Sequence, residues 1–153
     1  MSHKIQIREF DYQDKDEVME IFKQNVPRYF AVSEIKEFED YLESDIEKYF
    51  VAEIEGEIVG AGGVNFADNK TIGQMSWGFI KPKFHGCGFG SKLVKHRIDY
   101  LKSIITVEKI ALGTSQHTYK FYEKNGFVLK EVRKDYWAKD FDLYDMIYDN
   151  EHK

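Results

Sequence analysis

The chain has 153 residues, of which 42% are apolar and 16% aromatic, enough for one domain with a substantial core. Its net charge of −5 argues against a nucleic-acid partner, and no run approaches the roughly 18 apolar residues that span a membrane. The one cysteine, Cys87, excludes an internal disulfide and a cysteine-based metal site, so we expect a cytoplasmic protein without a metal.

No repeat, low-complexity tract or linker interrupts the sequence, so residues 1–153 are expected to form a single domain. Alternating apolar and polar residues at 5–9 predict a short first strand. A helix should follow and end at Pro27. A second helix should begin after Ser33, because apolar side chains then recur at helical spacing: Ile35, Phe38, Leu42, Ile46 and Tyr49.

The middle of the chain is predicted to contain three strands. Residues 50–54 and 58–64 should pair as a hairpin around Glu55-Gly56-Glu57. The polar stretch 65–70 is expected to be a loop, and residues 75–80 should form the third strand. A long helix should come next, because one of its faces is apolar: Leu93, Val94, Ile98 and Leu101.

The last third of the chain continues the alternation of strands and helices. We expect a buried strand at 110–112, a short helix at 118–124, and strands at 127–132 and 141–148. Gly126 can end the short helix in the left-handed conformation. The predicted order β-α-α-β-β-β-α-β-α-β-β indicates an α+β domain with helices over a mixed sheet.

A glycine-rich turn, His85-Gly-Cys-Gly-Phe-Gly-Ser91, lies between the third middle strand and the long helix. Glycine permits positive φ and lets a ligand approach the backbone without meeting a Cβ. The first turn of a helix adds free N–H groups and the positive end of the helix dipole. The turn is therefore predicted to bind a phosphate group.

Two common nucleotide-binding patterns do not fit this turn. The Rossmann pattern G-x-G-x-x-G requires glycine where Ser91 stands, and the P-loop requires glycine directly before its lysine, where Ser91 again stands before Lys92. The ligand could still be the pyrophosphate of another cofactor, and coenzyme A is the leading candidate. A plain strand-to-helix connection and a nucleotide-binding module are the alternatives.

A second segment, Ser115–Phe127, contains a short helix with Phe121 and Tyr122 and a stop at Asn125-Gly126. An aromatic pair on a short helix usually packs into a core. This pair becomes informative because it follows the strand that comes after the glycine turn.

Together the two segments resemble the GNAT superfamily of N-acetyltransferases. The acetyl-CoA signature of that family, Arg/Gln-x-x-Gly-x-Gly/Ala, is matched by His85, Gly88 and Gly90, with histidine in place of Arg or Gln. The later family pattern Phe-Tyr-x-x-x-Gly-Phe is matched by residues 121–127. The resemblance implies a GNAT-like mixed, mostly antiparallel sheet of about seven strands with four helices.

The resemblance further implies an enzyme that transfers an acetyl group from acetyl-CoA to a primary amine of a small molecule or peptide. Main-chain groups of Phe79 and Ile80 would pair with the pantetheine arm like an added strand, and Ser115 would offer it a hydroxyl. Tyr122 occupies the general-acid position and would protonate the leaving thiolate, or would only position the sulfur. The glycine turn would bind the pyrophosphate through His85, Gly86, Cys87, Gly88, Gly90 and Ser91.

The general base is not assigned by the sequence. Residues 74–80 contain no carboxylate, so His117, Glu34, Asp68 and a chain of waters are all left as candidates. The missing carboxylate also motivates an alternative function, a non-catalytic acyl-CoA-binding sensor on the same fold.

The acceptor is expected to be an amine, with neither nucleic acid nor membrane as a partner. The acceptor is expected to be bounded by residues 25–32 and 135–141. Four aromatic residues of these segments could form a cage for a cation or an apolar group: Tyr29, Phe30, Tyr136 and Trp137. Packing between the first helices and the sheet is the competing explanation for them. The aromatic carboxyl-terminal strand is also compatible with a homodimer.

Overall fold

A computed structural model of the chain describes residues 4–149, in which seven strands form one sheet of order β1-β2-β3-β4-β5-β7-β6. The strands are β1 (Ile5–Glu9), β2 (Lys48–Ile54), β3 (Glu57–Ala67), β4 (Ile72–Ile80), β5 (Lys109–Thr114), β6 (Phe127–Ala138) and β7 (Phe141–Tyr148). The α-helices are α1 (Lys15–Gln24), α2 (Glu34–Ser44), α3 (Phe89–Lys102) and α4 (Tyr119–Lys124). Only β4 and β5 pair in parallel among these strands, so the predicted mixed, mostly antiparallel α+β fold is confirmed.

The helices cover both faces of the sheet. Side chains of α1 and α2, among them Phe22 and Phe38, share a core with Val51 and Phe79 on one face. The alternate strand residues point to the other face, where they pack against α3 and α4. The sheet is therefore the middle layer of three, and its edges and gaps are where a ligand can reach the interior.

The turn between β2 and β3 has the predicted sharp geometry. Glu55 and Gly56 both have positive φ, 51° and 83°, as a two-residue hairpin requires. Gly126 has φ 96° directly after α4, so the predicted left-handed helix end is also confirmed.

Several predicted boundaries are wrong, and two of them show the effect of sheet pairing. The second helix ends at Ser44, and Tyr49 lies in β2, because Tyr49 pairs with Gly63 of β3 and its hydroxyl donates to the Trp77 carbonyl at 2.8 Å. The predicted loop at 65–70 begins later than expected, because β3 continues to Ala67 by pairing with β4. In both places sheet pairing outweighs the local sequence pattern.

A cleft opens where β4 and β5 separate. The two strands pair only from Ile72↔Lys109 to Met75↔Leu112, although β4 continues to Ile80. Beyond this point β4 carries a bulge, since Trp77 and Gly78 together oppose one residue of β3. Trp77 has φ 45° there, a conformation that non-glycine residues rarely adopt. The bulge turns the edge of β4 away from β5 and leaves a gap in the sheet.

Candidate active site

The gap between β4 and β5 is part of a cavity of about 900 Å³. Its wall includes the glycine turn and the start of α3, together with residues of α2, α4 and β6. The cavity is lined by all the predicted site residues except Cys87: Phe79, Ile80, His85, Gly86, Gly88, Gly90, Ser91, Ser115, Tyr122, Tyr29, Phe30 and Tyr136.

The glycine turn has the geometry of an anion site. Gly86 and Gly88 have φ 82° and 86°, and a Cβ on either would meet no protein atom within 4 Å. The first helical hydrogen bond runs from Lys92 N–H to the Gly88 carbonyl at 3.2 Å, so no described residue accepts from the N–H groups of residues 88–91. Four consecutive donors at the positive end of a 14-residue helix suit a pyrophosphate.

Cys87 lies outside this set of donors. Its N–H donates to the Phe84 carbonyl at 3.3 Å, and its side chain is exposed away from the cavity wall. The residue types alone do not reveal this, because it depends on the direction in which a single main-chain N–H points.

The His85 side chain fastens the turn to the end of β4. Its Nε2 lies 2.8 Å from the Ile80 carbonyl, and because a carbonyl only accepts, Nε2 must carry the hydrogen. Asn25 donates to the same carbonyl at 3.2 Å and to the Ile21 carbonyl at 3.1 Å. The Ile80 carbonyl is therefore already bonded, which leaves other main-chain groups of β4 for the pantetheine arm.

The sequence analysis gave Asn25 no role of its own beyond its place in the segment expected to bound the acceptor. It is only 2% exposed and ties the end of α1 to the rim of the cavity. Its signal is a polar residue after the apolar face of a helix and two residues before a proline, and that pattern is indistinguishable from an ordinary helix end.

Ser115 and Tyr122 are held on α4 and the turn before it. The Ser115 hydroxyl accepts from the His117 N–H at 3.2 Å, and its carbonyl accepts from the Tyr119 N–H at 3.0 Å. The Tyr122 ring packs edge-on against Phe121 and Phe127, with centroids 5.0 and 5.9 Å away. Among residues 4–149 no group bonds to the Tyr122 hydroxyl, so it can donate to a ligand.

The predicted aromatic cage combines core packing with cavity lining. Phe30 lies 4.7 Å from Phe22 and 6.3 Å from Trp77, centroid to centroid, so it belongs to the α1–α2 core as well as to the cavity wall. Tyr29 packs against His85, and Tyr136 is 53% exposed on β6. The three rings border one cavity, and only Phe30 is also committed to the core.

Glu34 is a buried carboxylate in the wall of the cavity. It is 5% exposed and accepts from the Ala31 N–H at 3.1 Å. Burial raises the pKa of its carboxyl, and the Ala31 hydrogen bond opposes that shift only in part. Of the other candidate bases, His117 lines the cavity but bonds to the Asp140 carbonyl, and Asp68 does not line it.

Within 4–149, no three His, Cys, Asp or Glu side chains are grouped so that they could hold a metal ion. No helix in that range is long and apolar enough to cross a bilayer.

Comparison with known proteins agrees with the fold and the motifs. The chain matches the acetyltransferase (GNAT) family over residues 15–127. An N-alpha-acetyltransferase of Sulfurisphaera tokodaii is 24% identical over 164 aligned positions, which cover 90% of this chain and 89% of that protein.

Solved structures with the same architecture include Ard1 from Thermoplasma volcanium. It superposes with a TM-score of 0.78 at 20% identity, over 95% of this chain and 99% of that one. A spermidine N-acetyltransferase from Vibrio cholerae, in complex with CoA and spermine, superposes with a TM-score of 0.71 at 19% identity, over 94% of each chain. These superpositions establish the fold, and the family match covers most of the chain. The chain therefore belongs to the acetyltransferase (GNAT) family and is an acetyl-CoA-dependent N-acetyltransferase.

Proposed function

We propose that the chain acetylates the α-amine of peptides, with acetyl-CoA held in the cleft between β4 and β5. The observation that carries this proposal is that three features line one cavity: the glycine turn, the Tyr122 side chain and the buried Glu34 carboxylate. The turn fits a pyrophosphate, because a Cβ at Gly86 or Gly88 would occupy space that the protein leaves open.

Different residues of the cleft would bind different parts of coenzyme A. The N–H groups of residues 88–91 bind the pyrophosphate, and the free edge of β4 next to Phe79 pairs with amides of the pantetheine arm. Ser115 and Tyr122 lie on the cavity wall after β5 and offer hydroxyls to the sulfur end. The cofactor, when bound, supplies an activated acetyl thioester.

The chain's own side chains then manage two protons. Glu34 accepts the proton of the acceptor ammonium, because only a neutral amine has the lone pair that attacks a carbonyl carbon. Tyr122 donates a proton to the sulfur as the carbon–sulfur bond breaks. Glu34 supplies the carboxylate that β4 lacks, which removes the motive for a non-catalytic sensor.

The choice of a peptide α-amine rests on the relatives and on the side chains of the cavity wall. The Sulfurisphaera relative is named an N-alpha-acetyltransferase. An ammonium group entering here meets Glu34 and the rings of Tyr29 and Tyr136, which suit a cation. The homodimer and the cytoplasmic location expected from the sequence stay predictions.

Thiol release from acetyl-CoA tests the proposal with a panel of amines. We expect fast release with peptides that have a free α-amine, and slow release with the same peptides blocked at that amine but containing lysine. Spermidine serves as the small-molecule comparison. Tight coenzyme A binding without release by any amine would favour the sensor, and a preference for spermidine would overturn the peptide assignment.

The Glu34→Gln variant should be about tenfold slower than wild type at pH 7 with a peptide α-amine. An α-amine with a pKa of about 7.8 is roughly one tenth neutral at that pH, so the base can contribute about that factor. Wild-type activity should rise with pH through the raised pKa of Glu34, since only the carboxylate accepts a proton.

The deficit of Glu34→Gln should disappear near pH 9, where the amine is neutral without help. The matched control is Asp40→Asn, an exposed carboxylate on the same helix whose charge does not contribute to the pKa shift of Glu34, and it should leave the profile unchanged. A deficit of the same size at every pH would show that Glu34 acts through structure rather than as a base.

A further inference from the structure

Arg97 is a buried cation in the wall of the active-site cavity. It lies on α3 and is 2% exposed. Its Nη1 donates to the Gly63 carbonyl at 3.3 Å, whereas its Nε is buried without a hydrogen-bond partner. Within residues 4–149 no carboxylate forms an ion pair with it. A positive charge is thus held inside the protein without an ion-pair partner among the described residues.

The sheet is built to admit this guanidinium. A Cβ at Gly62 would lie 2.8 Å from Arg97 Cζ, and a Cβ at Gly78 would lie 2.7 Å from Nη2. Glycine at both positions lets the guanidinium lie against β3 and the bulge of β4. Uncompensated burial of a charge costs several kcal/mol, so stability alone does not explain this arrangement.

The position of Arg97 along α3 matches the sulfur end of the cofactor site. Arg97 follows Gly88 by nine residues, which is about 13 Å along the helix axis. The pantetheine arm has the length of about four extended peptide units, about 14 Å. An arm that starts at the glycine turn and follows the cleft therefore ends at the level of Arg97.

Electrostatic effects on neighbouring tyrosines agree with this position. Burial raises the pKa of Tyr41 and of Tyr49, and the charge of Arg97 opposes the shift in both. Tyr122 also influences Tyr49, so Arg97 and the proposed acid act on the same neighbour. Tyr49 in turn bonds to the carbonyl of Trp77 in the bulge.

We propose that Arg97 supplies a positive potential at the sulfur end of the cleft and thereby stabilises the thiolate of coenzyme A as it leaves. This inference rests on the proposed binding mode. When the amine nitrogen bonds to the carbonyl carbon, the carbon–sulfur bond breaks and its electron pair stays on sulfur. A nearby cation in a poorly solvated site lowers the energy of that charge. Arg97 acts at a distance and is therefore a positioning charge rather than a contact residue.

The test measures coenzyme A binding against pH, without turnover. If the site favours thiolate, the bound thiol loses its proton at lower pH than the free thiol, and the affinity rises with pH. A shift of one pKa unit raises the affinity at most tenfold, a limit reached only well above both pKa values, so we expect calorimetry to show wild-type binding about fivefold tighter at pH 9 than at pH 7. The S-methyl thioether of coenzyme A has no titratable thiol and should bind equally at both values. Reductant is needed because Cys87 is exposed.

The variants Arg97→Met and Arg97→Lys separate charge from packing. Arg97→Met should keep its affinity at pH 7 and lose the pH dependence, with a melting temperature at or above that of wild type. Arg97→Lys should keep most of the pH dependence. Other titratable groups near the site include Glu34, Tyr41, Tyr49, Tyr122, His117 and Asp145. Their contribution is measured in each variant by the pH dependence of binding of the S-methyl thioether, which lacks the thiol, and is subtracted.

Two results would overturn the inference. The same pH dependence in wild type and Arg97→Met would remove Arg97 as its source. Equal dependence for coenzyme A and its S-methyl thioether would show that no thiol titrates, and this holds even if Arg97→Met does not fold. Both results leave the glycine-turn site intact, whereas failure of coenzyme A to bind at any pH would overturn both proposals.

Discussion

Gly88→Ala should weaken coenzyme A binding at least a hundredfold, about 2.7 kcal/mol. Gly88 is the first of the four residues with a free N–H group and has φ 86°. The new Cβ would meet no protein atom within 4 Å, so it would project into the space that the pyrophosphate needs. Calorimetric titration with coenzyme A measures the effect directly.

Backbone strain from the positive φ has to be separated from this steric effect. Gly56 is the matched control, because it has φ 83°, also has no atom within 4 Å of an added Cβ, and lies in the β2–β3 turn outside the cavity. Both alanine variants should lose about 1–2 kcal/mol of unfolding free energy. Only Gly88→Ala should lose affinity, and wild-type affinity in that variant would refute the proposed pyrophosphate site.

Tyr122→Phe should lower turnover about a hundredfold and change the affinity for coenzyme A less than twofold. The substitution removes the hydroxyl, to which no described residue bonds, and keeps the ring contacts with Phe121 and Phe127. A group that serves only the transition state affects kcat and leaves ground-state binding intact. Steady-state thiol release and calorimetry together measure the two quantities.

Tyr119→Phe is the matched control for Tyr122→Phe. Tyr119 lies one turn earlier on α4, packs against Tyr144 at 4.6 Å between centroids, and does not line the cavity. Because this substitution removes a hydroxyl outside the cavity, turnover should be unchanged. If Tyr122→Phe retains more than half of wild-type turnover, the acid lies elsewhere, and a strong loss of affinity would instead indicate that the hydroxyl positions the sulfur.

The fold could be predicted from local patterns because most elements have unambiguous ones. Strand alternation, helical spacing and turn residues such as Glu55-Gly56 depend on neighbours in the chain. The wrong predictions occur where the same residue pattern is compatible with both a helix and a strand. Tyr49 continues the helical spacing of α2, and only the pairing of β2 with β3 places it in a strand.

The candidate site was predictable where its chemistry depends on the backbone. The glycine turn binds anions through consecutive N–H groups, and these are encoded by contiguous residues. The free donors proved to be residues 88–91, and Cys87 is excluded by a hydrogen bond to Phe84. That distinction depends on the direction of one amide, which the residue types do not specify.

Arg97 shows what the sequence analysis overlooked. It shares the helical face of Leu93, Val94 and Leu101, so the spacing itself indicates a charge at a core position. The signal was present, but its meaning depends on Gly62 and Gly78, two glycines distant in sequence that make room for the guanidinium.

The sequence by itself determined the family resemblance, the order of elements and the glycine turn, because each is written in residues adjacent along the chain. Only the tertiary structure decided that Glu34 is a buried carboxylate of the cavity wall and that Arg97 lies in the same wall without an ion-pair partner among residues 4–149. The physical reason is that burial and charge compensation depend on which distant residues surround a group, and that is settled by how the sheet and helices pack.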